Sequence, residues 1–135
     1  MRLIIMKLRN ICIPIWYSFS SFNLEERFVK FAGDTILFLN DIPNDKAGSN
    51  LSGQLTRSST STALNFGEYQ GAESTKDEIH KLSVVLKEVK ESRVALKILT
   101  YINYGNSEKR QYLLKECGEL AAITATIIKN KRKNL

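Results

Sequence analysis

Five consecutive hydroxyl residues, Ser58 to Thr62, lie within a stretch whose apolar residues recur at helical spacing. Serine and threonine side chains are small, so a neighbouring helix can approach closely at such positions. Only two prolines, Pro14 and Pro43, interrupt the 135-residue chain. Because proline is the residue that most strongly ends helices, long stretches remain free to be helical. The sequence therefore predicts a single all-α domain built from long helices that pack against one another.

Four helices are predicted from residue 23 onward, and capping or breaking residues mark their ends. The expected spans are 23–42, 47–70, 74–104 and 107–130. Asn23 is the expected N-cap of the first helix and Ser107 that of the fourth. Ser74, with Asp77 three residues later, resembles a capping box at the start of the third. The connections are short, so the prediction is an antiparallel up-down four-helix bundle.

Apolar and small residues at helical spacing mark the expected core faces of the first two helices. These residues are Phe28, Phe31, Ala32, Thr35, Leu39 and Ile42 in the first helix, and Leu51, Leu55, Ser58, Thr62 and Phe66 in the second. Residues 36–39 and 120–128 are apolar or small on every side. A lone four-helix bundle cannot bury every side of a helix, so we expect self-association. The alternative is that the chain ends fold over these faces.

The first 22 residues do not continue the helical pattern, and we expect them to form a poorly ordered extension. Met6 or a later codon is an alternative start of translation. Lys7 and Arg9 divide their apolar residues, which argues against a secretory signal. No stretch has the roughly 20 apolar residues that a membrane span needs. Cys12 and Cys117 lie far apart and are expected to be reduced thiols, so the expected location is cytoplasmic.

The two ends of the chain hold the positive charge. The net charge is +6, of which residues 1–9 carry +3 and residues 129–133 carry +4, which leaves −1 for residues 10–128. The cations near the C-terminus are Lys129, Lys131, Arg132 and Lys133, and residues 131–135 form the expected basic tail. Such a tail binds phosphate by releasing counterions, but it equally suits a solvated helix end that complements the helix dipole.

The third predicted helix carries the strongest nucleic-acid feature of the body of the chain. Four cations recur there at spacings of three and four residues, so they follow one side of the helix for about three turns. They are Lys87, Lys90, Arg93 and Lys97. Glu88 and Glu91 lie nearby and are expected to dilute the positive potential. An ordinary solvated helix face is the alternative interpretation of this stripe.

Residue patterns typical of catalysis are sparse. His80 is the only histidine, and its spacing from Asp77 is that of di-metal sites in bundles, which need a second motif of the same kind. The sequence has no HExxH motif, GxSxG motif or phosphate-binding glycine loop. Cys117 lies among apolar residues and is expected to be a buried thiol. We therefore expect no enzyme activity, no cofactor and no metal site.

Residues 54–82 resemble one known family. The resemblance is carried by the segment 57–61 (RSSTS), by Asn65, Glu68, Gly71, Ser74 and Lys76-Asp77, and by LKEVKESRVALKIL further along the chain. These features are similar to four-helix bundle proteins related to those encoded in intervening sequences of bacterial large-subunit ribosomal RNA genes. The resemblance spans residues 22–128. One departure is Glu78, where an aromatic residue is expected for the family.

The resemblance implies an antiparallel four-helix bundle and relatives that assemble into five-membered rings, so a homo-pentamer is the expected assembly. It also implies a connection to RNA, since relatives are encoded within ribosomal RNA genes and others are accessory proteins of reverse transcriptases in diversity-generating retroelements. It implies no enzyme. Such a resemblance transfers a fold more directly than a function.

Arg57, Asn65 and Glu68 are polar residues of the run that resembles the family. Asn65 and Glu68 are three residues apart, so they share a helix face and can form hydrogen bonds with a neighbouring helix or subunit. We expect these three residues to have a structural or interface role. A ligand or RNA contact is the alternative.

These features favour a non-enzymatic, self-assembling four-helix scaffold that binds the backbone of RNA or DNA without sequence specificity. The expected contacts are the four cations of the third helix and the cations near the C-terminus. The competing hypothesis is a protein–protein interaction module with no nucleic-acid role. Its apolar helix faces would recruit a different polypeptide.

Overall fold

The structure, a computed structural model, describes residues 21–135, with side chains described from residue 24 onward. These residues form four helices: α1 Ser21–Leu39, α2 Lys46–Gln70, α3 Thr75–Tyr101 and α4 Ser107–Arg132. The prediction of an all-α four-helix fold is confirmed. The expected N-terminal extension lies outside the described residues except for its last two, with which α1 begins. Cys12 also lies outside them.

Side-chain caps fix the starts of α3 and α4. The hydroxyl of Ser74 accepts a hydrogen bond from the amide of Asp77 at 3.1 Å, so the predicted cap of α3 is confirmed. The cap of α4 is Asn106, one residue before the expected Ser107. The expected cap at Asn23 is wrong, because α1 begins at Ser21 and already includes this residue. Apolar periodicity marks which side of α1 is buried but does not say where its first turn begins.

Pairs of contacting residues show how neighbouring helices run. Ser58 of α2 meets Ser92 of α3, and Glu68 of α2 lies near Lys81 of α3. A residue further along α2 therefore meets one further back along α3, which is the pattern of antiparallel neighbours. The contacts of α1 with α4 follow the same rule. Each helix packs mainly against two others, in the cyclic order α1, α2, α3, α4.

The core lies along the bundle axis and is rich in phenylalanine and leucine. All five predicted core residues of α2 are buried, as are the first four of α1, whereas Leu39 and Ile42 are half-buried. Phe38, which the prediction omitted, is completely buried. The rings of Phe28 and Phe66 lie 5.1 Å apart between their centroids, within the usual range for packed aromatic pairs.

Two glycines allow the loops at one end of the bundle to pack closely. A Cβ atom on Gly48 would lie 2.0 Å from the carbonyl oxygen of Pro43. Gly105 has φ +84°, and a Cβ there would lie 2.6 Å from the ring of Phe38. Asn103 also has a positive φ, of 58°. Because these left-handed residues cannot continue a helix, α3 ends at Tyr101, three residues earlier than expected.

The end of α4 differs from expectation in two respects. The helix continues through Arg132, so the first two residues of the expected tail are helical; no glycine or proline interrupts them. Within Leu120–Ile128, the exposed positions hold only small residues: Ala122, Ala125 and Thr126. The large side chains of this run are buried or half-buried, so it does not present a broad apolar surface.

Candidate nucleic-acid interface

The four cations of α3 form a stripe along its outer side. Lys87, Lys90, Arg93 and Lys97 are all exposed. At 1.5 Å of rise per residue, the stripe is roughly 15 Å long. None of the four forms an ion pair with any residue from 24 to 135. The structure therefore places these residues together, as the sequence predicts, with their charges facing solvent.

Arg57 of α2 holds the two carboxylates that interrupt this stripe. One guanidinium nitrogen lies 3.3 Å from Glu88 Oε1, and the other pairs with Glu91. The side chain of Glu88 is only 12% exposed, so its charge lies largely beneath the surface. Because a cation from α2 offsets this negative charge, the carboxylates dilute the field of the stripe less than the sequence alone suggests.

The hydroxyl run brings α2 close enough to α3 for Arg57 to make these contacts. The Oγ atoms of Ser58 and Ser92 lie 2.7 Å apart in a buried hydrogen bond between the two helices. Nearby, Thr62 donates to the carbonyl of Ser59 in its own helix at 2.7 Å. Buried hydroxyls are therefore satisfied either across the contact or along α2. The expected close approach at this run is confirmed.

Asn65 and Glu68 do not act together. The amide nitrogen of Asn65 donates to the carbonyl of Ser61 at 2.8 Å, within α2 itself. The Glu68 carboxylate is 64% exposed and lies 3.7 Å from Lys81 Nζ on α3. Of the three polar residues singled out in the sequence, Arg57 and Glu68 contact a neighbouring helix, whereas the bond of Asn65 is local.

The cations near the C-terminus divide into two kinds. Lys129, Arg132 and Lys133 are exposed. Lys131 is half-buried, with Nζ 3.3 Å from Glu78 Oε1 and 5.6 Å from the ring centroid of Tyr69. Burial by itself lowers the pKa of Lys131, but Tyr69 and Glu78 outweigh it and raise the pKa above its ordinary value. The Lys131 ammonium group is therefore engaged within the bundle, where it forms an ion pair with Glu78.

Two arginines that the sequence pattern did not identify, Arg27 and Arg110, form hydrogen bonds that join other parts of the bundle. Arg27 of α1 donates two hydrogen bonds to Glu116 of α4, at 3.0 and 2.8 Å, and a third to Glu119 at 2.8 Å. Arg110 is 4% exposed and donates to the carbonyls of Tyr104 and Gly105. No local pattern identifies these residues, because their partners are defined only once the helices and loop are in place.

The residues considered for catalysis are Asp77 and His80 on α3 and Cys117 on α4. His80 is exposed on α3. Across residues 24–135, no group of three or more histidine, cysteine, aspartate and glutamate side chains is arranged to hold a metal ion. Cys117 is completely buried, as expected, and this burial raises the pKa of its thiol to about 12. The thiol is therefore protonated, and a poor nucleophile, near neutral pH.

Exposed apolar side chains occur in groups of three or more on α1 and on α3. On α1, Val29, Ile36 and Leu37 are 50%, 41% and 63% exposed. The last of these borders a cavity of about 240 Å³ between α1 and α4, lined by Asp34, Leu37, Phe38, Lys109, Tyr112 and Leu113. On α3, Val94, Ile98 and Tyr101 lie among the cations of the stripe. No helix of the described chain is both long and apolar enough to cross a bilayer.

Comparison with known proteins yields one family and one fold. The family model described as 23S rRNA-intervening sequence protein matches residues 21–126. Among solved structures, a similar chain is a protein of unknown function from the S23 ribosomal protein family of Bacteroides thetaiotaomicron VPI-5482. The two chains are 27% identical, with a TM-score of 0.73, and the match covers 81% of this chain and 97% of that one. A search of curated proteins finds no match.

Proposed function

The chain belongs to the 23S rRNA-intervening sequence protein family, and from this premise we propose that it is a self-associating helical scaffold that binds nucleic-acid backbone without reading sequence. The observation that carries the proposal is the stripe of four exposed cations on α3, whose neighbouring carboxylates pair with Arg57. The family is named for a ribosomal RNA intervening sequence, so RNA is the polymer we expect. The protein is proposed to act without catalysis.

Spacing supports backbone binding rather than base reading. Successive cations of the stripe are three or four residues apart and lie about 4.5 to 6 Å apart along the helix axis. Long flexible lysine side chains hold phosphate as point charges and carry no sequence information by themselves. The exposed tail cations Lys129, Arg132 and Lys133 supply further phosphate contacts at the end of α4.

Self-association would multiply this weak site. A stripe of four cations present once gives modest affinity, but linked copies bind one strand together and gain avidity without any new contact. The resemblance to ring-forming relatives suggests five copies. We propose that the outer side of α1, with Val29, Ile36 and Leu37, supplies the contact between copies, since it is the largest group of exposed apolar side chains outside the stripe.

Salt dependence tests the nucleic-acid part. Fluorescence anisotropy with a labelled single-stranded RNA should show log affinity falling with log salt at a slope of roughly −3 if four phosphates are neutralised. The double variant K90E/K97E should bind at least about tenfold more weakly. K46E/K115E changes the charge equally at exposed lysines on α2 and α4 and should bind more tightly than K90E/K97E. A flat salt dependence would refute the proposal.

Light scattering tests the assembly part. Leu37→Glu places a charge on the outer side of α1 and should lower the mass of the particle. Leu64→Glu is the matched control, because Leu64 is 68% exposed, similar to the 63% of Leu37, but lies on α2. Only the α1 variant should dissociate. A wild-type monomer would contradict the assembly proposal while leaving the cation stripe to be judged by the salt experiment.

A second candidate function is a protein–protein interaction module with no nucleic-acid role. The cavity between α1 and α4, whose lining includes Leu37 and Tyr112, favours it, because largely apolar concavities accept side chains of partners. This candidate predicts a monomer that fails to bind RNA at low salt. A stable homo-oligomer that binds RNA in a salt-dependent manner would exclude it.

A further inference from the structure

Tyr101 is the most exposed large apolar residue of the described chain, at 92%. The other three tyrosines between residues 24 and 135 contact a ring or a carboxylate: Tyr69, Tyr104 and Tyr112. The side chain of Tyr101 has no hydrogen bond, aromatic contact or cation contact with any residue in that range. Both faces of its ring are therefore free to receive a planar partner.

Tyr101 lies on the same side of α3 as the cation stripe. It follows Lys97 by four residues and Lys90 by eleven, and both intervals bring a helical residue back to nearly the same side. Val94 and Ile98, which are 56% and 44% exposed, lie between these residues. Along one side of α3, cations thus alternate with apolar side chains and end in an exposed aromatic ring.

We propose that Tyr101 stacks on an unpaired base of a single-stranded RNA whose phosphates contact Lys90 and Lys97. This inference rests on the proposed function and names the form of nucleic acid that the stripe prefers. Bases inside a duplex are already stacked on their neighbours, so an external ring cannot reach their faces. Bases of a single strand expose those faces, and stacking on an aromatic side chain accepts every base. The arrangement therefore adds affinity without adding sequence preference.

The charge of the surface favours a nucleic acid over a polypeptide partner. The buried centre of a protein–protein interface is depleted in lysine, because each charge must be desolvated there. Here Lys90 and Lys97 lie directly among Val94, Ile98 and Tyr101, so an apolar partner would have to bury unpaired cations. A single strand supplies phosphates for the cations and a planar apolar base for the ring.

Replacement of the ring separates stacking from charge. Affinity is measured by anisotropy at one salt concentration for a labelled 12-nucleotide uridine strand and for a 12-base-pair RNA duplex. Tyr101→Ala should weaken single-strand binding by roughly fivefold to hundredfold and change duplex binding less than twofold. Tyr101→Phe keeps the ring and should bind like wild type. Tyr101→Leu keeps apolar surface without a ring and should behave like the alanine variant.

The outcomes distinguish this inference from the proposed function. If wild type binds neither RNA form, the proposed function fails, and the stacking site fails with it. If wild type binds RNA with the expected salt dependence but Tyr101→Ala binds equally well, only the stacking site is refuted. Tighter binding of a thymidine strand than of the uridine strand would overturn the assignment to RNA. An altered particle mass for Tyr101→Ala, with unchanged RNA affinity, would make the residue a contact between protein chains instead.

Discussion

The contact between α2 and α3 differs in kind from the contact between α1 and α4. Between α2 and α3, small hydroxyl residues let the helices approach until Ser58 and Ser92 share a hydrogen bond of 2.7 Å. Between α1 and α4, long side chains such as Arg27 and Glu116 bridge the helices, and a cavity of about 240 Å³ remains. The size of the side chains at each contact thus determines whether the two helices pack closely or leave a cavity between them.

The largest effect should come from enlarging the close contact. Ser58→Leu adds several carbon atoms at a completely buried position and removes the hydrogen bond to Ser92, so we expect the free energy of unfolding to fall by about 3 kcal/mol. Urea denaturation followed by circular dichroism measures this change. Ser49→Leu, at an exposed position on the same helix, should change stability by less than about 0.5 kcal/mol.

An intermediate effect should come from removing the bridge across the open contact. Arg27→Met leaves the Glu116 carboxylate, which is 14% exposed, without its hydrogen-bond donors, so we expect a loss of about 1 to 2 kcal/mol. Arg57→Met removes a single, longer contact to Glu88, at 3.3 Å, and a contact to Glu91, which is 34% exposed, so it should cost less than about 1 kcal/mol. Equal losses in the two variants, measured by the same denaturation, would remove the distinction drawn between these ion pairs.

A double-mutant cycle tests whether Arg27 and Glu116 stabilise the protein through their mutual contact. Glu116→Gln combined with Arg27→Met should destabilise by less than the two single variants together, because each change removes the same interaction. Strict additivity would mean that Arg27 and Glu116 do not stabilise the contact between α1 and α4 through one another. The arginine would then contribute through its hydrogen bond to Glu119 or through the packing of its aliphatic stem.

The smallest effect should be the pH dependence of the hydrogen bond from the Tyr104 hydroxyl to the Asp45 carboxylate. This bond joins the two loops at one end of the bundle. Hydrogen bonds from the Tyr104 hydroxyl and the Gly48 amide lower the pKa of Asp45 below its ordinary 3.8, so this contact stabilises at neutral pH and is lost as the pH falls below about 4. The Asp45 carboxylate raises the pKa of Tyr104 above 10.0, so the contact is also lost above that pH.

Asp45→Asn tests this pH dependence. The variant keeps a capping side chain for α2 but has no carboxylate to titrate, so its stability should vary less between pH 5 and pH 3 than that of wild type. Thermal unfolding at a series of pH values provides the measurement. Parallel curves for the two proteins would show that Asp45 does not link stability to pH.

Much of the fold was predictable because its signals are local. Ser74 caps α3 as the sequence predicts, and all five predicted core residues of α2 are buried. The resemblance drawn from residues 54–82 is confirmed by the family match. The start of α1 was predicted incorrectly at Asn23, because a residue suited to capping can also lie within a helix.

The sequence by itself determined the stripe of four cations, since helical periodicity places Lys87, Lys90, Arg93 and Lys97 on one side of α3. Only the tertiary structure decided how strong that stripe is, because Arg57, which pairs with Glu88 and Glu91, comes from a different helix. The exposure of Tyr101 was likewise decided by packing, and so was the engagement of Lys131 by Glu78. Periodicity acts over a few residues, whereas these partners lie 31 to 53 residues apart in the chain and meet only when the helices pack.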